Sequence, residues 1–448
     1  MTSKADASEG DVNLGPRRQA WAREHIEPAT QALLDEDAHW FFHQSMSTPC
    51  LNVLQQAQGA WLTDVQGRRI LDFHGNSLHQ VGYAHPNVVA AMTAALQDLA
   101  FCPRRYTNHQ AIALARRLCT AAPMGSAKAL FAPGGTSAIG MALKLARVVT
   151  GRFKTISMWD SFHGASLDAI SLGGEAVFRK GMGPLMSGAL HVPPCDPGAC
   201  AWGCGGTCAL RCVDYIDYCM RKEGDVAAVV VETIRCTDVQ IPPPDYYRQL
   251  RAICDRHGAL LIVDEIPIAL GRTGTLFAIE HYGIEPDMLV LGKGLGGASM
   301  PLAALVARAE FDVSQHISLG HYTHEKNPVA CAAALAVLDT IAQEQLLQAS
   351  TDKGARLLHW LQDGTQHLPA VRQVRGLGLL VGIELQDQPL RAAADLAEAV
   401  LYRCLREGLS FKVGQGTVLV LAPPLTIDDT DLRWAADCVL RALAAESL

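Results

Sequence analysis

The stretch Pro286-Asp287-Met288-Leu289-Val290-Leu291-Gly292-Lys293-Gly294 comes after Leu260-Leu261-Ile262-Val263-Asp264-Glu265, and each is a short apolar run closed by a polar residue. Runs of this length bounded by turn signals read as strands buried on both faces, the kind found in parallel sheets. Two neighbouring strands then carry a lysine and an aspartate at their ends. Taken singly, Lys293 is an ordinary surface lysine and Asp264 an ordinary helix cap. Together they are the pair that pyridoxal phosphate chemistry needs. The amine condenses with the cofactor aldehyde, and the ionised carboxylate keeps the pyridine nitrogen protonated so that the ring accepts electrons. Lys293 is assigned as the Schiff-base lysine and Asp264 as the partner of the ring nitrogen.

Moving outward, a strand expected at residues 129–131 runs into Pro133-Gly134-Gly135-Thr136-Ser137-Ala138 and then a helix through Arg147. Backbone amides and a hydroxyl at a helix N-terminus form an anion site matched to the cofactor phosphate, which brings in Gly135 and Thr136. A strand at 155–158 ends in Trp159-Asp160-Ser161-Phe162-His163-Gly164. That places an aromatic face and an imidazole at a strand's carboxyl end, where open α/β sheets hold ligands. Phe162 is the candidate to stack on the pyridine ring.

The same alternation organises the chain. Helical periods at 88–99 and 111–121 interleave with apolar strands at 129–131, 155–158, 227–231, 260–263, 288–291 and 303–307, the pattern of a mostly parallel sheet covered by helices. Residues 61–73 alternate around a Gln66-Gly67 turn and read as a hairpin, and residues 17–37 as one amphipathic helix. Strands at 379–384 and 417–421 suggest a smaller α+β domain built with that hairpin. The expected fold is α/β, a large domain with a mostly parallel sheet plus a smaller α+β domain. The divisions are a disordered tail at 1–15, an N-terminal part of the small domain at 16–85, the large cofactor domain at 86–325 and the C-terminal small domain at 326–448.

Composition excludes several classes. The net charge is −7 with both signs interspersed, so neither a basic stripe for nucleic acid nor a polybasic membrane patch is present. The longest apolar runs stop far short of the ~20 residues that span a bilayer, and the first residues lack an apolar signal core; a cytoplasmic protein is expected. A small anionic substrate must then be held by local cations. Of fourteen cysteines, Cys195, Cys200, Cys204, Cys208, Cys212 and Cys219 crowd into residues 193–220. Spacings of three between successive cysteines differ from the two-residue zinc knuckle, so no metal is assigned, and a thiol-rich surface insertion and a metal site both stay open.

Asp264-Glu265-Ile266, Gly271-Arg272-Thr273-Gly274, Pro286-Asp287, Lys293 and Asn327-Pro328 together resemble the class III pyridoxal-phosphate aminotransferases of the ornithine and 4-aminobutyrate type. The likeness extends from Asp64-Val65-Gln66-Gly67 through Gly82-Tyr83-Ala84-His85-Pro86 to Leu421-Ala422-Pro423-Pro424-Leu425. It implies fold type I, pyridoxal 5'-phosphate as cofactor, and a homodimer with its active site at the subunit interface. It also implies cofactor contacts from Gly135, Thr136, Phe162, Asp264 and Lys293, with Thr323 reaching the phosphate of the neighbouring subunit's cofactor.

Departures from the family pattern are equally informative. Where such aminotransferases carry an arginine for an α-carboxylate this chain has Val420, and the carboxylate gate is Thr237. Losing both halves of an arginine fork suggests that no amino-acid second substrate is gripped in that way. The family's Gln beside the cofactor is Pro267. Among class III relatives the chain most resembles ammonia-lyases that degrade 2-amino-1-hydroxyethylphosphonate, on Phe73-His74-Gly75-Asn76, Cys102-Pro103-Arg104-Arg105-Tyr106, Asp264-Glu265-Ile266-Pro267 and His321-Tyr322-Thr323-His324-Glu325-Lys326. That resemblance implies release of ammonia and phosphonoacetaldehyde. The alternative is an aminotransferase passing the amine of an ω-amine or aminophosphonate to a keto acid. Arg105, Arg104 and Arg235 are the candidates to hold the phosphonate, and His163 or His74 to protonate a leaving hydroxyl.

Overall fold

The structure, a computed structural model, describes residues 15–44, 46–204 and 208–447; nearly all of the tail expected at 1–15 lies outside them. The helix expected at 17–37 is two helices, Pro16–His25 and Pro28–Trp40. Pro28 lacks an N–H and pushes the residue before it out of helical geometry, so the first helix ends there and the second begins with proline in its first turn.

The hairpin region forms β1 (Leu54–Gln58), β2 (Trp61–Asp64) and β3 (Arg69–Asp72). The seven strands of the large sheet are β4 (Ala127–Ala132), β5 (Lys154–Met158), β6 (Ala189–Val192), β7 (Val226–Glu232), β8 (Leu260–Asp264), β9 (Met288–Leu291) and β10 (Ala303–Arg308). They lie in the order β4-β10-β9-β8-β7-β5-β6. From β9 to β6 every pairing is parallel, whereas β10 runs antiparallel to both of its neighbours. Every residue of β8 and β9 is buried, which is why those runs are uniformly apolar where a half-exposed strand would alternate. A single Leu→Ala change there costs about 2–5 kcal/mol, because the dense surroundings collapse only in part.

Near the C-terminus come β11 (Val371–Leu377), β12 (Leu380–Leu385), β13 (Leu409–Ser410), β14 (Lys412–Gly414) and β15 (Val418–Leu421). β13 pairs parallel with β3, Leu409 facing Leu71, and so joins the two ends of the chain in one sheet, β1-β2-β3-β13. The remaining strands make a third sheet, β11-β12-β15-β14. Among the described residues no single helix is long and apolar enough to cross a membrane. The pair Pro328–Gln343 and Leu346–Thr365, apolar enough together, is bent by 64°, and the first of the two is almost wholly buried.

The cysteine-rich segment is only partly a surface feature. Cys195 and Cys212 are 6% and 3% exposed within the main core, with Cys208 and Cys219 packed against it. All fourteen thiols are free, and among the described residues no group of three or more His, Cys, Asp or Glu is arranged to hold a metal.

Candidate active site

The carboxyl ends of β4, β5, β7, β8 and β9 share one edge of the large sheet, and a cavity of about 370 Å³ opens there. Gly135, Thr136, Phe162, Asp264 and Lys293 all line it. The sequence signals therefore converge, each sitting just past or at the end of its own strand.

Lys293 follows Gly292 at the end of β9 with φ at +43°, a backbone region that a residue with a side chain seldom occupies. Such strain is held only where the surroundings over-determine it, and here it sets the amine at the cavity. Asp264 is 1% exposed. Its Oδ1 accepts the Ile266 N–H at 3.0 Å and its Oδ2 meets His163 Nδ1 at 2.8 Å. The carboxylate is thus fixed by two partners before any ligand arrives. His163 Nδ1 is committed to this contact, so the imidazole acts on Asp264, and His74 is the second imidazole lining the cavity.

Gly135 opens the helix Gly135–Thr150, whose first N–H groups have no partner within the helix. Thr136 Oγ1 lies 2.6 Å from Ser166 Oγ and accepts the Ser166 N–H at 3.3 Å. Gly164, with φ at +123°, lets the neighbouring loop come this close, since a Cβ there would lie 2.6 Å from Thr136 Oγ1. Phe162 packs on Phe178 with ring centroids 4.6 Å apart and donates its N–H to Glu232 Oε1 at 3.3 Å.

Two acids flank this arrangement, Glu265 buried and Glu232 partly so. Glu232, directly across from Asp264 in the sheet, has its carboxyl pushed well above the usual range, first by burial and then by Asp264 beside it; its Oε2 is buried without a partner. Glu265 accepts from Thr233 Oγ1 and from the Ala278 and Ile279 N–H groups, each at 2.7 Å, and burial raises its pKa to about 7. Glu265 does not line the cavity and ties the following turn to the sheet.

The facing wall comes from elsewhere in the chain. Phe73, His74, Asn76 and Ser77 line it from the turn after β3, where Asp72 accepts the His74 and Gly75 N–H groups at 2.9 and 3.0 Å. Thr237, Val420 and Pro267, the three departures from the family pattern, also line the cavity. So does Lys412, which the sequence reading passed over: a lone lysine in a three-residue strand carries no signal until β14 is set against β15. Arg104 and Arg105 lie in an exposed turn outside the cavity lining. Arg235 is 8% exposed and gripped by Asp238 on two nitrogens, one at 2.7 Å. It faces a smaller void with Gln240 and Tyr246. Thr323 is exposed and also outside the cavity.

The chemistry of this donor set fits pyridoxal phosphate: an amine, a fixed buried carboxylate, an aromatic wall and a helix N-terminus surround a space of the right order for a small cofactor.

Comparison with known proteins gives the same grouping. The sequence profile described as Aminotransferase class-III matches residues 42–443. The (R)-1-hydroxy-2-aminoethylphosphonate ammonia-lyase of Vibrio splendidus is 46% identical, the match covering 98% of this chain and 95% of that protein. The acetylornithine aminotransferase of Methanopyrus kandleri is 35% identical over 88% of this chain and 94% of its own. Among solved structures, the pyridoxal-phosphate-bound amine transaminase from an uncultivated Pseudomonas species superposes with a TM-score of 0.84 at 29% identity, covering 91% of this chain and 98% of that one.

Proposed function

The chain belongs to the class III aminotransferase family of pyridoxal-phosphate enzymes, and on that premise we propose that it is an ammonia-lyase converting (R)-1-hydroxy-2-aminoethylphosphonate to phosphonoacetaldehyde and ammonia. The observation that carries the reading is a cavity that keeps Lys293 and Asp264 while presenting Val420 and Thr237 to a second substrate. Among the described residues of this chain no arginine lines it, so an amino acid's α-carboxylate finds no bidentate partner among them. The 46% identity to the Vibrio splendidus ammonia-lyase over nearly the whole chain supports the same activity.

Pyridoxal phosphate, when bound, supplies an aldehyde that condenses with amines and an electron-accepting ring that stabilises negative charge on the carbon bearing the amine. Lys293 Nζ would hold the cofactor at rest and, once displaced by the substrate amine, take the proton from that carbon. Asp264, fixed by Ile266 N–H and His163, would keep a proton on the ring nitrogen. The amides of Gly135 and Thr136 would hold the phosphate and Phe162 would cover the ring. His74 is the imidazole on the substrate side that can protonate the departing hydroxyl. The adjacent hydroxyl leaves as water, and a water returns to the former amine carbon as ammonia departs, so substrate equals aldehyde plus ammonia with no net oxidation and no keto acid required.

Two finer readings belong with this one. A homodimer is supported by a surface groove of about 430 Å³ lined by Ile112, Leu130 and Ile317, each substantially exposed. Its rim carries Glu325 and Lys326 of the segment that holds Thr323, the residue read as serving the partner's cofactor. Fourteen free thiols suit a reducing compartment such as the cytoplasm. We further read residues 86–325 as the cofactor-binding unit, with 16–85 and 326–448 forming the smaller one around β3 and β13.

The deciding experiment incubates the cofactor-loaded protein with (R)-1-hydroxy-2-aminoethylphosphonate and no keto acid. Repeated turnover with ammonia and phosphonoacetaldehyde in equal amounts is expected. Ammonia or product appearing only when a keto acid is added would replace the lyase with an aminotransferase.

A further inference from the structure

Lys412 is given no duty by the steps above, yet it lines the cavity. It sits on β14 directly opposite Val420 of β15 in an antiparallel ladder. Opposed residues in such a ladder project to the same face with β carbons about 5 Å apart. Ala422, beyond the end of β15, also lines the cavity, so this wall is apolar except for one ammonium. The strand pair is pressed onto the turn after β7: a Cβ on Gly414 would lie 1.4 Å from the Thr237 carbonyl oxygen, and glycine alone permits that approach. Thr237 therefore faces the same space from the other side, its Oγ1 buried and without a hydrogen-bond partner.

The lysine and the valine together define a ligand chemistry. A guanidinium fork matches a planar carboxylate, whereas an ammonium is a compact charge with three donors that suits the tetrahedral oxygens of a phosphonate. The field of the wall agrees. Glu232, the carboxyl on the neighbouring part of the cavity, has its pKa raised well above the ordinary carboxylate value by desolvation and then by Asp264, which weakens its repulsion of an incoming anion. The three arginines read from the sequence offer no competing cation inside the cavity: Arg235 is engaged by Asp238, and Arg104 and Arg105 stand outside the lining.

We infer that Lys412 is the residue that recognises the substrate's phosphonate, with Thr237 Oγ1 beside it. Val420 leaves the room that a tetrahedral group needs. This rests on the lyase reading for the identity of the substrate, but the anion site itself can be tested without turnover.

The test uses the cofactor-loaded protein and the variants Lys412→Gln, Lys412→Met and Lys412→Arg. Turnover of (R)-1-hydroxy-2-aminoethylphosphonate is measured by ammonia release, and methylphosphonate binding by calorimetry. Removing a charge-assisted hydrogen-bond donor should raise KM by about 30-fold in the Gln and Met variants and weaken methylphosphonate by a similar factor, with the Arg variant recovering part of both. All three should retain the cofactor and its borohydride-reducible absorbance band, which shows that the fold and the cofactor site survive. KM and methylphosphonate affinity within twofold of the parent in the Gln and Met variants would overturn the assignment. Loss of the cofactor from those two variants while Lys412→Arg keeps it would place Lys412 at the cofactor, and would also overturn it. If the parent releases no ammonia, the proposed function fails. Methylphosphonate binding then decides the anion site alone, and absence of binding to the parent protein sinks it.

Discussion

The two walls of the cavity are built by different means. The cofactor wall collects Gly135, Phe162, Asp264 and Lys293 from the carboxyl ends of four strands of one sheet, two of them, β8 and β9, buried along their whole length. The substrate wall takes Phe73 to Ser77 from the turn after β3, Thr237 from the turn after β7, and Lys412 and Val420 from a third sheet near the C-terminus. The first wall is fixed by local signals, because a strand end in a parallel sheet dictates where its next residue lies. The second is fixed by registers between distant segments. Chemistry common to the family belongs on the first wall and choice of substrate on the second, since function on a shared fold is set by the site.

The contrast breaks most easily at Lys293. Lys293→Ala should lose activity by several orders of magnitude and lose the absorbance band that borohydride fixes to the chain, while the thermal transition of the apo-protein stays close to that of the parent. Peptide mapping after borohydride treatment checks the site, and label on another lysine would remove the assignment.

Asp264→Asn comes next. An amide cannot balance a pyridinium, so turnover should fall by roughly a thousandfold with cofactor retained. His163→Ala, which removes the Oδ2 partner and leaves Ile266 N–H on Oδ1, should cost less, on the order of tenfold in kcat with little change in KM. Comparable losses in the two variants would show that His163 does more than orient the carboxylate.

On the substrate wall the effects are those of binding selectivity. Glutamate and alanine should convert the cofactor to its amine form at least about thirtyfold more slowly than the aminohydroxyphosphonate is consumed, because their α-carboxylate finds Val420 and Thr237 where a fork would be needed. Stopped-flow spectra with each compound check this. Rapid conversion by glutamate, with its keto acid appearing in equal amount, would move specificity off this wall.

What could be read from the sequence follows the same division. Apolar runs ending in a functional residue located β4, β5, β7, β8, β9 and β10 within a residue or two, and with them five residues that line the cavity. β1, β6, β11, β13 and β14 escaped notice: β13 and β14 are only two and three residues long, and β11 is half-polar, as an edge strand facing solvent can be. Lys412 was invisible because its meaning lies in the pairing of residue 412 with residue 420. For Arg235 the reading chose a charged residue near the cofactor wall, whereas the bridge between Arg235 and Gln240 folds the turn so that Asp238 takes up the guanidinium.

The smallest effect expected is on stability, and it lies behind the cofactor wall at Glu265. Its folded pKa of about 7 stands above the ordinary 4.5 because burial outweighs the three donors that favour the charged form. Below about pH 4.5 the carboxyl is protonated in both folded and unfolded chains and contributes no pH dependence. Between 4.5 and 7 the unfolded chain gives up the proton while the folded chain keeps it, so stability falls as pH rises. Above 7 both are ionised and the loss is complete, at most about 3 kcal/mol for a shift of this size. Glu265→Gln removes the titration but leaves an amide N–H₂ against one of the backbone donors that Glu265 now receives, at a cost of about 1–3 kcal/mol. The variant should therefore be less stable than the parent at pH 5, and the gap should narrow toward pH 8. Thermal unfolding of both proteins across that range reads the difference directly. A gap that widens with pH would mean that Glu265 is ionised in the folded protein throughout, and that its three donors outweigh its burial.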